Sequence, residues 1–92
     1  MIGSFADKDA EDIFYRKPSR RYASLQKIIL RKLLILNGGM VLGDLSIPPG
    51  NRLEALRGDR LGQHSIRIND QFRLCFVWRE PYACDIEVAD YH

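Results

Sequence analysis

The residues of this sequence best equipped for chemistry are Arg57, Arg60, Arg67 and Arg73, with Glu54 ahead of them and Asp90-Tyr91-His92 behind. A guanidinium group is a planar fork of N–H donors that matches phosphate oxygens. Several of them on one concave face suit RNA and can stabilise charge developing on a phosphorane. Histidine, with an unperturbed pKa of about 6.5, can give or take a proton near neutrality. Glu54 and Asp90 can act on protons or simply pair with arginines, and Tyr91 can stack on a base or cover a sheet edge. Each has a plainer use as well, since arginines are ordinary polar residues on a half-solvated sheet and His92 can be a solvated end. His64 fits a structural role better than a chemical one. No phosphate loop, nucleophile elbow, Cys-x-x-Cys pair or metal-binding helix motif is present, so the usual signatures of nucleotide hydrolysis, acyl transfer and metalloenzymes are missing.

The elements that must position these groups follow from apolar alternation. Leu53 with Leu56, Ile66 with Ile68, and Phe72 with Leu74 and Phe76 are separated by Gly58-Asp59-Arg60-Leu61-Gly62 and Asn69-Asp70-Gln71, which reads as a three-stranded meander. Successive side chains of a strand point to opposite faces. Phe72, Leu74, Phe76 and Trp78 therefore share a core face, and Arg73, Cys75, Val77 and Arg79 share the other. Arg67 alternates against Ile66 and Ile68 in the same way, so one sheet face should be cationic.

Ahead of the meander, Met1-Ile2-Gly3-Ser4-Phe5 suits a short strand, and Asp7 can cap a helix bearing Ala10, Ile13 and Phe14. Pro18 ends that helix, and Ser19 can cap a second one carrying Tyr22, Leu25, Ile28, Ile29, Leu33 and Leu36 up to Asn37-Gly38-Gly39. Met40 to Asn51 loses periodicity and reads as a loop pinned by Leu42, Leu45 and Ile47. After a turn at Arg79-Glu80-Pro81-Tyr82, Ala83 to Ala89 reads as the last strand, with Cys84 in phase with Ile86 and Val88 on the core face. Cys75 then faces away from Cys84, which predicts free thiols. The expected fold is α+β, two N-terminal helices packed on a small, mainly antiparallel β-sheet.

At 92 residues the chain has room for one core, so residues 1–92 are expected to form a single domain. Its 46% hydrophobic and 28% charged residues mark it as globular rather than disordered. No apolar run can cross a bilayer and no signal peptide is evident, so a soluble, cytoplasmic protein without membrane partners is expected. The net charge of +2 is too small to choose a partner. Residues 16–43, however, hold Arg16, Lys17, Arg20, Arg21, Lys27, Arg31 and Lys32 and no acid, a basic block that suits either a polyanion or a solvated helix face.

Several stretches carry a family resemblance: Met1-Ile2 with Ser4-Phe5, the run from Pro48 to Arg60, Ser65 to Asn69 with Gln71-Phe72-Arg73 and Cys75-Phe76, and Asp90-Tyr91-His92. Together they resemble the HigB toxins of the RelE/ParE superfamily. That resemblance implies a RelE-like fold and a ribosome-dependent endoribonuclease. Such an enzyme cuts messenger RNA in the decoding site by attack of a 2′-hydroxyl, without metal or cofactor. It implies neutralisation by HigA, a helix-turn-helix antitoxin, with DNA contacted only through the antitoxin complex. By position, Arg73 and Arg57 would hold the scissile phosphate, His92 and Asp90 would handle protons or orient substrate, and Tyr91 would lie beside the base. Arg60 and Arg67 would be further phosphate ligands. The chain has Glu54 where some relatives have histidine, which offers Glu54 as proton acceptor or as the partner that orients Arg57. Glu80-Pro81-Tyr82 also lacks the glycine common in relatives. Two other readings belong to the same superfamily: a ParE-like inhibitor of DNA gyrase that acts by binding protein, and an inactive homologue that still binds its antitoxin.

Overall fold

Asp7 opens the first helix with an extended backbone (φ −127°) and a carboxylate oxygen that accepts from Asp9 N at 2.9 Å. In this computed structural model, which describes residues 1–90, helix α1 spans Lys8–Phe14, with Asp9 and Glu11 in the first turn where acids favour the helix dipole. The other Asp7 oxygen accepts from Val88 N at 3.0 Å, so the cap also ties the helix to the last strand.

Ser19 does not cap the second helix. Its hydroxyl accepts from Tyr22 N at 3.2 Å and donates to Asp9 Oδ1 at 3.0 Å. It therefore fixes a turn against α1, and a short 3-10 segment, Ala23–Leu25, intervenes before helix α2, Gln26–Gly38. Ile29, Leu33 and Leu36 of α2 are buried, at the spacing that makes one helical face.

The sheet is antiparallel with strand order β1 (Glu54–Ala55), β2 (His64–Arg67), β3 (Phe72–Arg79) and β4 (Tyr82–Asp90). The expected meander is present, though its first strand is only two residues long. Met1 to Phe5 forms no strand; Ile2 and Phe5 make isolated parallel bridges to Ala83 and Ile86, flanking β4. The two helices and one face of the sheet enclose Ala10, Ile13, Ile29, Leu33, Leu36, Ile66, Leu74, Phe76 and Ile86, all fully buried. Leu25, Phe72 and Trp78, assigned to the same core, are partly buried against it. In the loop after α2, Leu45 is buried and Leu42 partly so, but Ile47 is 70% exposed and pins nothing.

One register irregularity corrects the placement of Cys84. Cys75 pairs with Glu87, but Val77 pairs with Cys84, so β4 carries an extra residue between them. Asp85, inside this bulge, has φ +52°, a left-handed conformation that Asp tolerates better than most side chains. The insertion reverses the alternation, leaving Ala83 in the core and Cys84 on the face of Cys75. Both cysteines are buried and neither forms a disulfide. Among the described residues, no helix is long and apolar enough to cross a membrane.

Candidate active site

β3 is an interior strand, and the register sets Arg73 opposite Arg67 of β2 and Ala89 of β4 on the face without helices. The sequence places Arg73 on a solvated face, but its side chain is only 11% exposed. Ser65 stands diagonally from it and Glu54 stands opposite Ser65, because β1, β2 and β3 pair in register. Arg73 Nε donates to Ser65 Oγ at 2.7 Å and Nη2 donates to the Arg52 carbonyl at 2.5 Å. Glu54 Oε1 lies 4.0 Å from Nη2 and remains 56% exposed. The result is a buried cation with directional partners and one open carboxylate neighbour, an arrangement that keeps the charge where it is aimed.

Arg57 is exposed and, with Glu54, Ala55 and Leu56, lines an open depression of about 520 Å³ along β1. Glu54 thus joins Arg73 to the Arg57 corner. Leu56, Cys75 and Ala89 form a small buried apolar cluster on this face. It gives the site a firm floor.

The remaining arginines are differently engaged. Arg60 Nη1 donates to Glu87 Oε1 at 2.5 Å and to Gln63 Oε1 at 3.0 Å. Arg67 is paired with Asp70, which draws it away from Arg73, its like-charged cross-strand neighbour. Asp90 pairs in register with Phe72 and accepts from Gln71 Nε2 at 3.1 Å, so strand parity turns it away from Arg73. Tyr91 and His92 lie outside the described residues. His64 is half-buried and stacked on Phe76 with ring centroids 6.3 Å apart, in keeping with a structural role.

Sequence reasoning missed Ser65 and the Arg52 carbonyl. Ser65 was legible in principle, since it alternates with Ile66 as Arg73 does with Leu74. The carbonyl left no side-chain signal. It depends on Arg52 adopting a left-handed conformation (φ 47°, ψ 59°) after the 3-10 segment Pro49–Asn51.

Among the described residues, no group of three or more His, Cys, Asp or Glu is arranged to hold a metal ion. A family model described as the RelE-like toxin HigB of type II toxin–antitoxin systems matches residues 3–92. Toxin HigB-1 of Vibrio cholerae serotype O1 is 44% identical over 86 residues, covering 90% of each chain. An uncharacterized protein of Haemophilus influenzae is 37% identical over 56 residues, which is 61% of this chain and 55% of its own length.

Proposed function

The chain belongs to the HigB-like toxin family, the RelE-like toxins of type II toxin–antitoxin systems, and on that basis we propose that it is a ribosome-dependent endoribonuclease that cleaves messenger RNA. The observation that carries this reading is Arg73, a guanidinium held by Ser65 and Arg52 on the open sheet face with Glu54 at 4.0 Å. In the proposed reaction the 2′-oxygen of one nucleotide bonds to its own 3′ phosphorus, and the bond from phosphorus to the 5′-oxygen breaks. The 2′-hydroxyl gives up its proton and the departing 5′-oxygen gains one. Arg73 and Arg57 bind the phosphate, and Arg73 offsets the negative charge that grows on its oxygens in the transition state. Glu54 accepts the 2′-proton, and His92 donates to the leaving oxygen. Asp90, turned from Arg73 by the register, orients substrate, and Tyr91 stacks on a base. Arg60 and Arg67 tune the field of the face, because carboxylates already engage them.

The proposed partners are a HigA-like helix-turn-helix antitoxin, the ribosomal decoding site and its messenger RNA, with DNA reached only through the antitoxin complex, all in the cytoplasm. The basic block on and before α2 suits ribosomal RNA. Primer extension on a message translated in a purified system tests the reading, with wild type beside His92→Ala. Cuts should require the ribosome, leave a 2′,3′-cyclic or 3′-phosphate end, and fade in the variant. A 3′-hydroxyl end would overturn the chemistry. Intact message together with inhibited gyrase would instead mark a protein-binding toxin.

A further inference from the structure

Asn51 is a polar residue with no exposure at all, and burying an amide is costly unless each of its groups finds a partner. Every group of this one does. Its Nδ2 donates to the carbonyls of Leu45 and Ile47 at 3.1 and 3.3 Å, and its Oδ1 accepts from Lys32 Nζ at 2.5 Å. The next residue is Arg52, whose carbonyl accepts from Arg73. For a residue with a Cβ the left-handed conformation of Arg52 is unfavourable, so something must hold it. The backbone bonds Asn51 N to Pro48 O and Arg52 N to Pro49 O close the turn, and the Asn51 side chain fastens it to Leu45 and to α2.

We propose that Asn51, tethered to α2 by Lys32, is a positioning residue for Arg73: it fixes the Arg52 carbonyl that aims the guanidinium. Lys32 fits that part. Burial, with Arg31 and Arg67 nearby, holds its ammonium below the usual lysine pKa, and its partner is a neutral amide. A carboxylate at position 51 would satisfy Lys32 but face the Leu45 and Ile47 carbonyls with acceptors in place of donors, loosening the turn. The link therefore needs an amide. Its effect on rate rests on the nuclease reading above, whereas its effect on Arg73 does not.

Two measurements separate those parts. The first is proton exchange at the Arg73 Nη2–H, the donor to the Arg52 carbonyl, followed by nitrogen-15 NMR of arginine side chains in the whole protein and assigned by its loss in Arg73→Lys. In Asn51→Ala this proton should exchange with water faster by on the order of tenfold, as the anchored guanidinium is released. Unchanged exchange would overturn the proposal. The second is single-turnover cleavage on the ribosome, where Asn51→Ala should lower the rate on the order of ten- to a hundredfold with little change in binding. In an Arg73→Ala background the same change should have little further effect, because the two act as a unit. Equal losses in both backgrounds would make Asn51 merely structural and overturn the proposal. Should wild type itself cut nothing, the nuclease reading fails and the exchange measurement still decides. Should Asn51→Ala not fold, Lys32→Met, which removes only the tether, carries both measurements with the same expected directions and the same overturning results.

Discussion

On the helix-covered face of β3, Leu74 and Phe76 are fully buried among aliphatic and aromatic neighbours; on its open face Arg73, one residue away, is nearly as hidden but is held by a hydroxyl and a carbonyl. The covered face is held by burial, which has no direction and scales with the apolar area removed from water. The open face is held by a few hydrogen bonds, each of which fixes an angle as well as a distance. Damage to the first should therefore appear as lost stability with chemistry intact in whatever fraction stays folded. Damage to the second should appear as lost chemistry in a folded protein.

The sharpest way to break this contrast is at Phe76. We predict that Phe76→Ala destabilises the fold by about 3–5 kcal/mol in denaturant melts, a large share of the ~5–15 typical of a whole domain. A loss below about 1 kcal/mol would mean that the covered face does not carry the core. Next in size, Arg73→Ala should lower ribosomal cleavage on the order of a hundredfold, equivalent to about 2.7 kcal/mol of transition-state stabilisation. Circular dichroism and antitoxin binding should be unchanged. If the variant is unfolded, Arg73 belongs with the structural face and the contrast collapses.

The sequence shows why one face was easier to read than the other. Leu74, Phe76, Ile66 and Ile86 announce themselves by alternation, because burial selects residue type directly. Arg73 was also legible, since strand parity sets it on the side away from Leu74 and Phe76, whereas Glu54 stood out only as a carboxylate that could act on protons or pair with the arginines. What alternation cannot register is a change of phase, so the bulge at Asp85 hid the true face of Cys84. Ser19 misled for a different reason: a hydroxyl that can cap a helix had already been engaged by Asp9 of α1, a contact across the fold. The anchor of Arg73 was hidden more deeply, because a backbone carbonyl has no residue type to read. Asn51 was visible only as one more turn-former in a loop of prolines and glycines.

A third prediction crosses between the two faces. Asp7 caps α1 through one oxygen and holds Val88 N through the other, so Asp7→Ala should cost about 1–2 kcal/mol of stability. Because neither bond touches the open face, cleavage per folded molecule should stay within a factor of two or so of wild type on the reading that only Arg73 and its neighbours set the rate. A fall as large as that of Arg73→Ala would show that α1 reaches the site.

The smallest expected effect lies on the open face itself, at Arg60 and Glu87. Their contact is short, at 2.5 Å, yet the two side chains remain 31% and 34% exposed, so water and salt screen the attraction. A double-mutant cycle with Arg60→Ala and Glu87→Ala should give a coupling of about 0.2–1 kcal/mol in stability, shrinking as salt is raised. Cleavage in Glu87→Gln is the finer measurement, since it leaves Arg60 with Gln63 as a neutral partner and adds positive potential to the face. If Arg60 only holds β4 to the loop after β1, the rate should hardly move. If it contributes to binding the phosphate backbone, Glu87→Gln should tighten association with RNA, most clearly at low salt, while Arg60→Ala weakens it in the same conditions.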